Sequence, residues 1–396
     1  MAKDLSRCMV CAMSLWASAA AAQQPQPMEA DFDYDAAVED VPIESEAYEA
    51  PLTFRLLSGS VLNFYGQFNP AYQYFDDGGE TTSNIVDNGN WNSRVGFTIT
   101  RPVDEGTVRV RFETGLGLRS SALVWQELTP DWIDWQRTAL RWFEVAGDTK
   151  YGTVSFGQGS TASDGSAGLD DSYTFQAGAT DSSDGFGSFR FRDSNGNLTN
   201  VTIGQVNNNF DGARRFRARY DTPVVAGVML STSYGKNVLV EEDNRDYYDV
   251  AGRWIGDVGD FAIRAAASYQ WQNNPDGDDT RRLAGSATVV HTPTGLNLAL
   301  SAGQEVDGAS YVWGRAGWRN EVFAVGPTSV SVDYYYGRDF LSDGAVTENY
   351  GVYAVQTFDN QSIDVYGGVR KFTYGDDEAI TYQDAYGVLA GVRFFF

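Results

Sequence analysis

The chain of 396 residues is short of exactly the residues that most enzymes and metal proteins depend on, with one His and two Cys in all. That leaves almost nothing for a zinc cluster or a His-based catalytic triad. Basic residues are also scarce, 29 Lys plus Arg against 53 Asp plus Glu, for a net charge of -24. A field of that sign repels phosphate backbones, so nucleic acid is not an expected partner. After the N-terminus no run of 18 or more apolar residues occurs, which excludes membrane-spanning helices. What the chain has in quantity is aromatic side chains, 22 Tyr, 23 Phe and 10 Trp, beside 42 Gly. This is too rich in β-forming residues for a disordered acidic chain, and a large all-β protein is the first expectation.

At the N-terminus, Lys3 and Arg7 precede a short apolar stretch from Cys8 to Ala22, and Ala20-Ala21-Ala22 supplies a small-residue cleavage site. Residues 1–22 therefore read as a secretory signal peptide, too short to span a bilayer as a helix. Both cysteines lie inside it, so the exported protein uses no disulfide. Residues 23–60 are acidic and contain proline, and read as a flexible extension before the folded unit.

From Val61 the pattern has a period of two and keeps it to the last residue. Leu62, Phe64, Phe68, Tyr72 and Tyr74 alternate with Asn63, Gln67, Asn69 and Gln73. Val95, Phe97 and Ile99 oppose Arg94, Thr98 and Thr100, and Val108, Val110 and Phe112 oppose Arg109, Arg111 and Glu113. One face is apolar and the other is wet. About sixteen such segments fit into residues 61–396, and a bilayer-spanning strand needs only about 9 to 11 residues. Tight turns such as Thr292-Pro293-Thr294-Gly295 alternate with longer polar connections such as 273–279 and 374–384. Short turns on one side, long loops on the other and tyrosines near strand ends describe a transmembrane antiparallel β-barrel. A mean hydropathy of -0.34 agrees with this, because in a barrel only alternate strand residues meet lipid. Pro70 removes a ladder donor, so an irregularity is expected there. In the last strand Tyr386, Val388, Ala390, Val392, Phe394 and Phe396 take every second position. As a closing strand this row faces lipid, pairs with the first strand and leaves no edge.

These residues resemble the general, non-specific porins of Gram-negative bacteria, and most closely the alphaproteobacterial type. The resemblance rests on Phe64-Tyr65-Gly66-Gln67-Phe68-Asn69-Pro70-Ala71-Tyr72, Asn92-Ser93-Arg94-Val95-Gly96-Phe97, Tyr151-Gly152-Thr153-Val154-Ser155-Phe156-Gly157, Arg219-Tyr220-Asp221-Thr222-Pro223 and the terminal Phe. It covers most of the chain after Val61 and leaves residues 23–60 unexplained. It implies sixteen strands, a homotrimer in the outer membrane, no enzymatic activity, and passive diffusion of small hydrophilic solutes and ions. It also implies a long loop after the fifth strand that folds inward and narrows the channel.

The segment from Gln158 to about Gly212 is the longest without sustained apolar alternation, and it suits that constriction loop. Asp164, Asp170, Asp171, Asp181 and Asp184 stand in its first half, while its second half has strand-like stretches. Arg94, Arg109, Arg111, Arg137, Arg141, Arg215, Arg217 and Arg219 fall on faces assigned to the lumen. Carboxylates facing guanidinium groups across a narrow channel set up a transverse field that favours polar solutes. Each Arg reads equally well as a wall residue paired with a neighbouring carboxylate. Calcium is a second use open to Asp164, Asp170 and Asp171, although no EF-hand spacing is present. His291 stands at a strand end without a nucleophile motif and reads as an interfacial residue. The net charge points to a weak cation preference. Two rival readings stay open: a substrate-selective porin, for instance for sugars, and a structural or adhesive barrel that uses its acidic arm.

Overall fold

The computed structural model describes residues 52–56, 59–275, 277–377 and 380–396. The signal peptide at 1–22 and most of the extension at 23–60 lie outside the described residues.

The strands, in chain order, are β1 (Leu52–Arg55), β2 (Val61–Phe68), β3 (Pro70–Asp76), β4 (Thr81–Asp87), β5 (Arg94–Val103), β6 (Gly106–Gly115), β7 (Leu140–Thr149) and β8 (Gly152–Ser160). A small hairpin follows, β9 (Arg190–Arg192) and β10 (Leu198–Thr202), between the short helices α1 (Ser183–Phe186) and α2 (Ile203–Val206). Then come β11 (Arg214–Asp221), β12 (Val228–Lys236), β13 (Asp246–Val258), β14 (Phe261–Asn273), β15 (Thr280–His291) and β16 (Leu296–Glu305). The last five are β17 (Ser310–Phe323), β18 (Gly326–Arg338), β19 (Val346–Phe358), β20 (Ile363–Gly375) and β21 (Ala385–Phe395).

Together they close a sixteen-stranded antiparallel barrel, in which β2 with β3, and β4 with β5, each make one interrupted stave. The first interruption falls at Asn69, directly before Pro70, where the missing N–H was expected to disturb the ladder. Closure is made by β21, which pairs with β3 from Tyr386↔Asp76 to Gly391↔Ala71 and with β2 at Phe394↔Phe68 and Phe395↔Gln67. The sheet also begins earlier than the alternation suggests, because Leu52–Arg55 pair with Phe64–Val61.

The two faces separate as the period of two requires. Along β12 and β16, Val228, Leu230, Leu296, Leu298 and Leu300 are exposed while Ser231, Ser233, Asn297, Ala299 and Ser301 are buried. The buried polar face is the inner one, because its side chains hydrogen-bond to the 161–213 connection. Ser233 Oγ accepts from Ala162 N at 2.9 Å, Ser286 Oγ accepts from Leu169 N at 3.1 Å, and Thr174 Oγ1 lies 2.6 Å from Ser331 Oγ. The connection thus lies inside the barrel. Its bounds are 161–213 rather than 158–212, since β8 runs to Ser160 and β11 starts at Arg214. Tyr386, Phe394 and Phe396 are exposed on the outer face, as expected, with Val388 and Val392 half-buried in the same row.

Candidate functional site

The densest charge on the wall gathers on β5, β6 and β7. Alternation turns Arg109, Arg111 and Glu113 to the same inner face of β6, and β5 brings Arg94 opposite Gly115. Glu113 is fully buried and is surrounded by cations. Arg111 Nη2 lies 3.2 Å and Arg94 Nε 3.8 Å from its carboxylate, and Arg141 Nε also binds it. Arg214 is within electrostatic range of Glu113 as well. The Tyr65 hydroxyl donates to Glu113 at 2.9 Å and accepts from Arg111 Nε at 3.0 Å, while the Arg111 guanidinium lies 4.1 Å from the centre of the Trp142 ring.

Arg141 reaches this cluster through a local irregularity. Glu113 pairs with Trp142 and Thr114 with Leu140, so Arg141 is the extra residue of a β-bulge. A bulge re-aims a side chain that regular pleating would have sent to the outside. It brings Arg141 Nη1 within 3.1 Å of Asn92 Oδ1.

The other expected arginines divide. Arg217 is buried against Glu144 at 2.6 Å and donates to Ser160 O at 2.9 Å, and Arg219 pairs with Asp221 at 2.9 Å and donates to Thr161 O at 3.1 Å. These two fasten the start of the inner segment to the wall. Arg215 lies over the ring of Tyr247 at 4.3 Å. Arg137 does not belong to the wall. It stands in a 3-10 turn, Arg137–Ala139, before β7, half-exposed and paired with the exposed Glu241 at 3.0 Å. The alternation around it belongs to a loop, not to a strand.

The five aspartates of the inner segment take different roles. Asp170 pairs with Arg315 at 2.5 Å and Asp171 with Arg264, on the far side of the barrel from the Glu113 cluster. Arg315 and Arg370 also share Asp333, at 2.7 and 2.5 Å. Arg370 donates to Ser182 Oγ at 2.6 Å and to Ala179 O at 2.8 Å. Asp164 neighbours Asp211, and burial together with that neighbouring carboxylate pushes Asp211 up to about 8. Asp184, in α1, is exposed within the lumen and lies in electrostatic reach of Arg141 and Arg214, with Asp181 three residues before it. Among the described residues no group of three or more His, Cys, Asp or Glu side chains is arranged to hold a metal ion, and two of the three carboxylates considered for calcium are engaged by arginine.

Arg264, Arg315 and Arg370 are wall residues that hold the inner segment, and no sequence motif points to them. The signal that could find them is the alternation of β14, β17 and β20, which turns Arg264, Arg315 and Arg370 inward.

The second half of the inner segment packs as a hydrophobic core. Phe186, Phe189, Phe191, Ile203 and Val206 meet Phe75, Phe372, Tyr374 and Leu389 of the wall, with the Phe75 and Phe189 rings stacked at 4.2 Å. Wall glycines let the segment approach. A Cβ on Gly368 would lie 2.3 Å from the Tyr353 ring and 2.9 Å from Ala177 O. The hairpin is tied down by Arg192, which binds Asp77 Oδ1 through Nε and Oδ2 through Nη2, both at 2.9 Å. Burial alone would raise the Asp77 carboxyl, but the Arg192 bond, the backbone N–H groups of Glu80 and Gly79 and the Gln126 amide outweigh it and hold it below the ordinary range.

His291 ends β15 at the rim, with its Nδ1 2.7 Å from Thr294 Oγ1 and its ring 4.9 Å from Phe261, in keeping with an interfacial residue.

The comparisons with known proteins agree on one architecture. The family model described as Gram-negative porin matches residues 9–377. Among solved structures, the anion-selective porin from Comamonas acidovorans is 15% identical, with a TM-score of 0.57, covering 85% of this chain and 100% of that one. OmpT of Vibrio cholerae is 14% identical with a TM-score of 0.54, covering 87% of this chain and 100% of that one. OprB of Pseudomonas putida is 9% identical with a TM-score of 0.57, covering 85% and 94%. These likenesses concern the fold. No match is found among curated protein sequences. The chain belongs to the Gram-negative porin family, and it is an outer-membrane channel with no enzymatic activity.

Proposed function

We propose that the channel is water-filled and carries small hydrophilic solutes and ions by passive diffusion, with a weak cation preference. The observation that carries this reading is Asp184, an exposed carboxylate on the inner segment facing Arg141 and Arg214 on the wall. Fixed charges of opposite sign across a passage orient dipolar water and solutes and disfavour apolar ones. The guanidinium groups keep their charge at any physiological pH, so the basic side of the field persists, while burial raises the Asp184 carboxyl against the pull of Arg141 and Arg214. Inward folding of residues 161–213 supports a constriction at this level. The cation preference is supported by the rim, where Glu241, Glu242, Asp278, Asp279, Asp307 and Asp343 concentrate cations before they enter.

A second reading has its own observation. Four arginines share one buried carboxylate, Glu113, so the narrow part of the path would favour anions if it controls permeation more than the rim does. Reversal potential in a salt gradient decides between them, and its sign is the test. Current blocked by one solute at low concentration would replace both with a substrate-selective channel. The working unit is taken to be a homotrimer, as in the trimer form in which one OmpT of Vibrio cholerae was solved. Export is taken to proceed through removal of residues 1–22. Crosslinking in native membranes and N-terminal sequencing test these two points.

A further inference from the structure

We infer that Ser121 and Gln73 are positioning residues for the charged passage: they hold the turn that carries Asp184, and so set where its carboxylate stands relative to the wall arginines. This rests on the reading that ions pass Asp184. Both residues act through the loop between β6 and β7, residues 116–139. The loop doubles back on itself, with Arg119 N donating to Trp132 O and Trp125 pairing with Leu128. Ile133 and Trp135 in its second half are exposed, whereas Ser121 and Val124 in its first half have no solvent contact. Val124 joins the core that Phe186 and Phe189 form against the wall. The first half of the loop thus turns inward and meets the inner segment.

Asp184 stands in α1, a helix of four residues, too short to be stable by itself. Phe186 N and Gly187 N bond to the carbonyls of Ser182 and Ser183. The next two carbonyls belong to a helix end and need other donors. Side chains from outside the segment supply them. Ser121 Oγ donates to Asp184 O at 2.6 Å and accepts from Gly89 N at 2.9 Å. Gln73 Nε2, on the inner face of β3, donates to Gly185 O at 2.7 Å and to Ser121 O at 2.9 Å. One amide group therefore fastens loop and turn together. Gly89 permits the approach, since a Cβ there would lie 2.2 Å from Asp184 O. Further along, Ser188 Oγ donates to Ala122 O at 2.5 Å, and Gln126 exchanges two hydrogen bonds with the backbone of Arg190, at 2.7 and 3.1 Å. The Asp184 side chain is exposed, so the backbone that bears it decides its place. The aromatic core around Phe186 and Phe189 fixes the rest of the segment without the Ser121 hydroxyl.

The test uses the full chain in planar bilayers, with Ser121→Ala, Asp184→Asn and the double variant measured side by side. Asp184→Asn is expected to lower cation over anion permeability by roughly twofold. Ser121→Ala keeps the carboxylate and is expected to move the ratio in the same direction, by no more than that, at the parent's temperature of folded-band loss. The double variant should show no shift beyond that of Asp184→Asn, because a displaced neutral side chain has no field to lose. Hydrogen exchange at residues 183–188 should quicken roughly tenfold in Ser121→Ala, wherever ions pass. If Ser121→Ala does not fold, Gln73→Met, which removes both of the bonds that Gln73 donates, is read in its place. A reversal potential that moves with Asp184→Asn but not with Ser121→Ala, shifts that simply add in the double variant, or exchange at the parent rate would each overturn the positioning role. If Asp184→Asn itself moves nothing, the permeation reading falls, and the positioning role falls with it.

Discussion

Two arcs of the same wall put their inward positions to opposite uses. From β5 to β11 the inner face is charged, with Arg94, Arg111, Arg141 and Arg217 set around Glu113 and Glu144. From β18 through β21 to β3 the inner face carries, beside the paired charges Arg370–Asp333 and Arg393–Asp364, the rings and side chain of Tyr335, Phe372, Phe75 and Leu389, all nearly without solvent contact. The first arc faces other charges and the second faces protein, because the half of the inner segment that contains Phe186, Phe189, Ile203 and Val206 is packed onto it. A single inner segment therefore joins a lining to a core. The polarity of an inward residue reports what covers it, not merely that it points inward.

The comparison breaks most readily on the packed arc. Phe189→Ala removes a buried ring stacked on Phe75 and is expected to cost about 3 to 5 kcal/mol of the segment's hold on the wall. Single-channel conductance should rise and become noisy, and a conductance identical to the parent would show that the aromatic packing does not position the segment. On the charged arc, Glu113→Gln leaves its arginines without their buried counter-charge and should cost about 3 kcal/mol. The readout is the temperature of folded-band loss, together with a shift of the reversal potential toward anion preference.

Acid separates the two arcs at smaller cost. The Asp77 carboxyl is lowered in the folded protein, so its contribution is fully present above the ordinary carboxylate range, near pH 4. It is lost as pH falls through the lowered value. The hairpin of β9 and β10 should loosen in that window, with a loss of about 1 to 3 kcal/mol. Asp77→Asn should abolish the pH dependence, as seen in hydrogen exchange of residues 190–202. The smallest effect belongs to Asp184→Asn, which should leave stability within about 0.5 kcal/mol and lower cation over anion permeability by roughly twofold. An unchanged reversal potential there would remove Asp184 from the permeation path.

Much of this molecule was legible in its sequence because a lipid-facing strand allows so few choices. The stave count, the closing face from Tyr386 to Phe396 and the inward Arg94 and Arg111 follow from a period of two, and the break at Pro70 from its missing N–H. Arg141 reached the expected face only through its bulge, a one-residue event that alternation cannot register. Arg137 was misplaced because a loop of polar and aromatic residues imitates a strand. Phe75 and Leu389 were hidden for a different reason. An apolar residue on a wet face looks like noise until the distant segment that covers it is known, and that partner lies more than a hundred residues away along the chain. β1 was hidden by composition, since its four residues adjoin an acidic stretch that shares none of the pattern.

The hydrogen bonds of residues 161–213 reach the wall at Ser233 and Asp249 on one side and at Arg315, Ser331 and Arg370 further round. A bare hoop resists squeezing only through its tangential bonds and goes oval under sideways load. Chords fixed at several points of the circumference stiffen it against that mode. The inner segment thus acts as a brace, so changes in bilayer lateral pressure should alter the cross-section less than the number of staves alone would suggest.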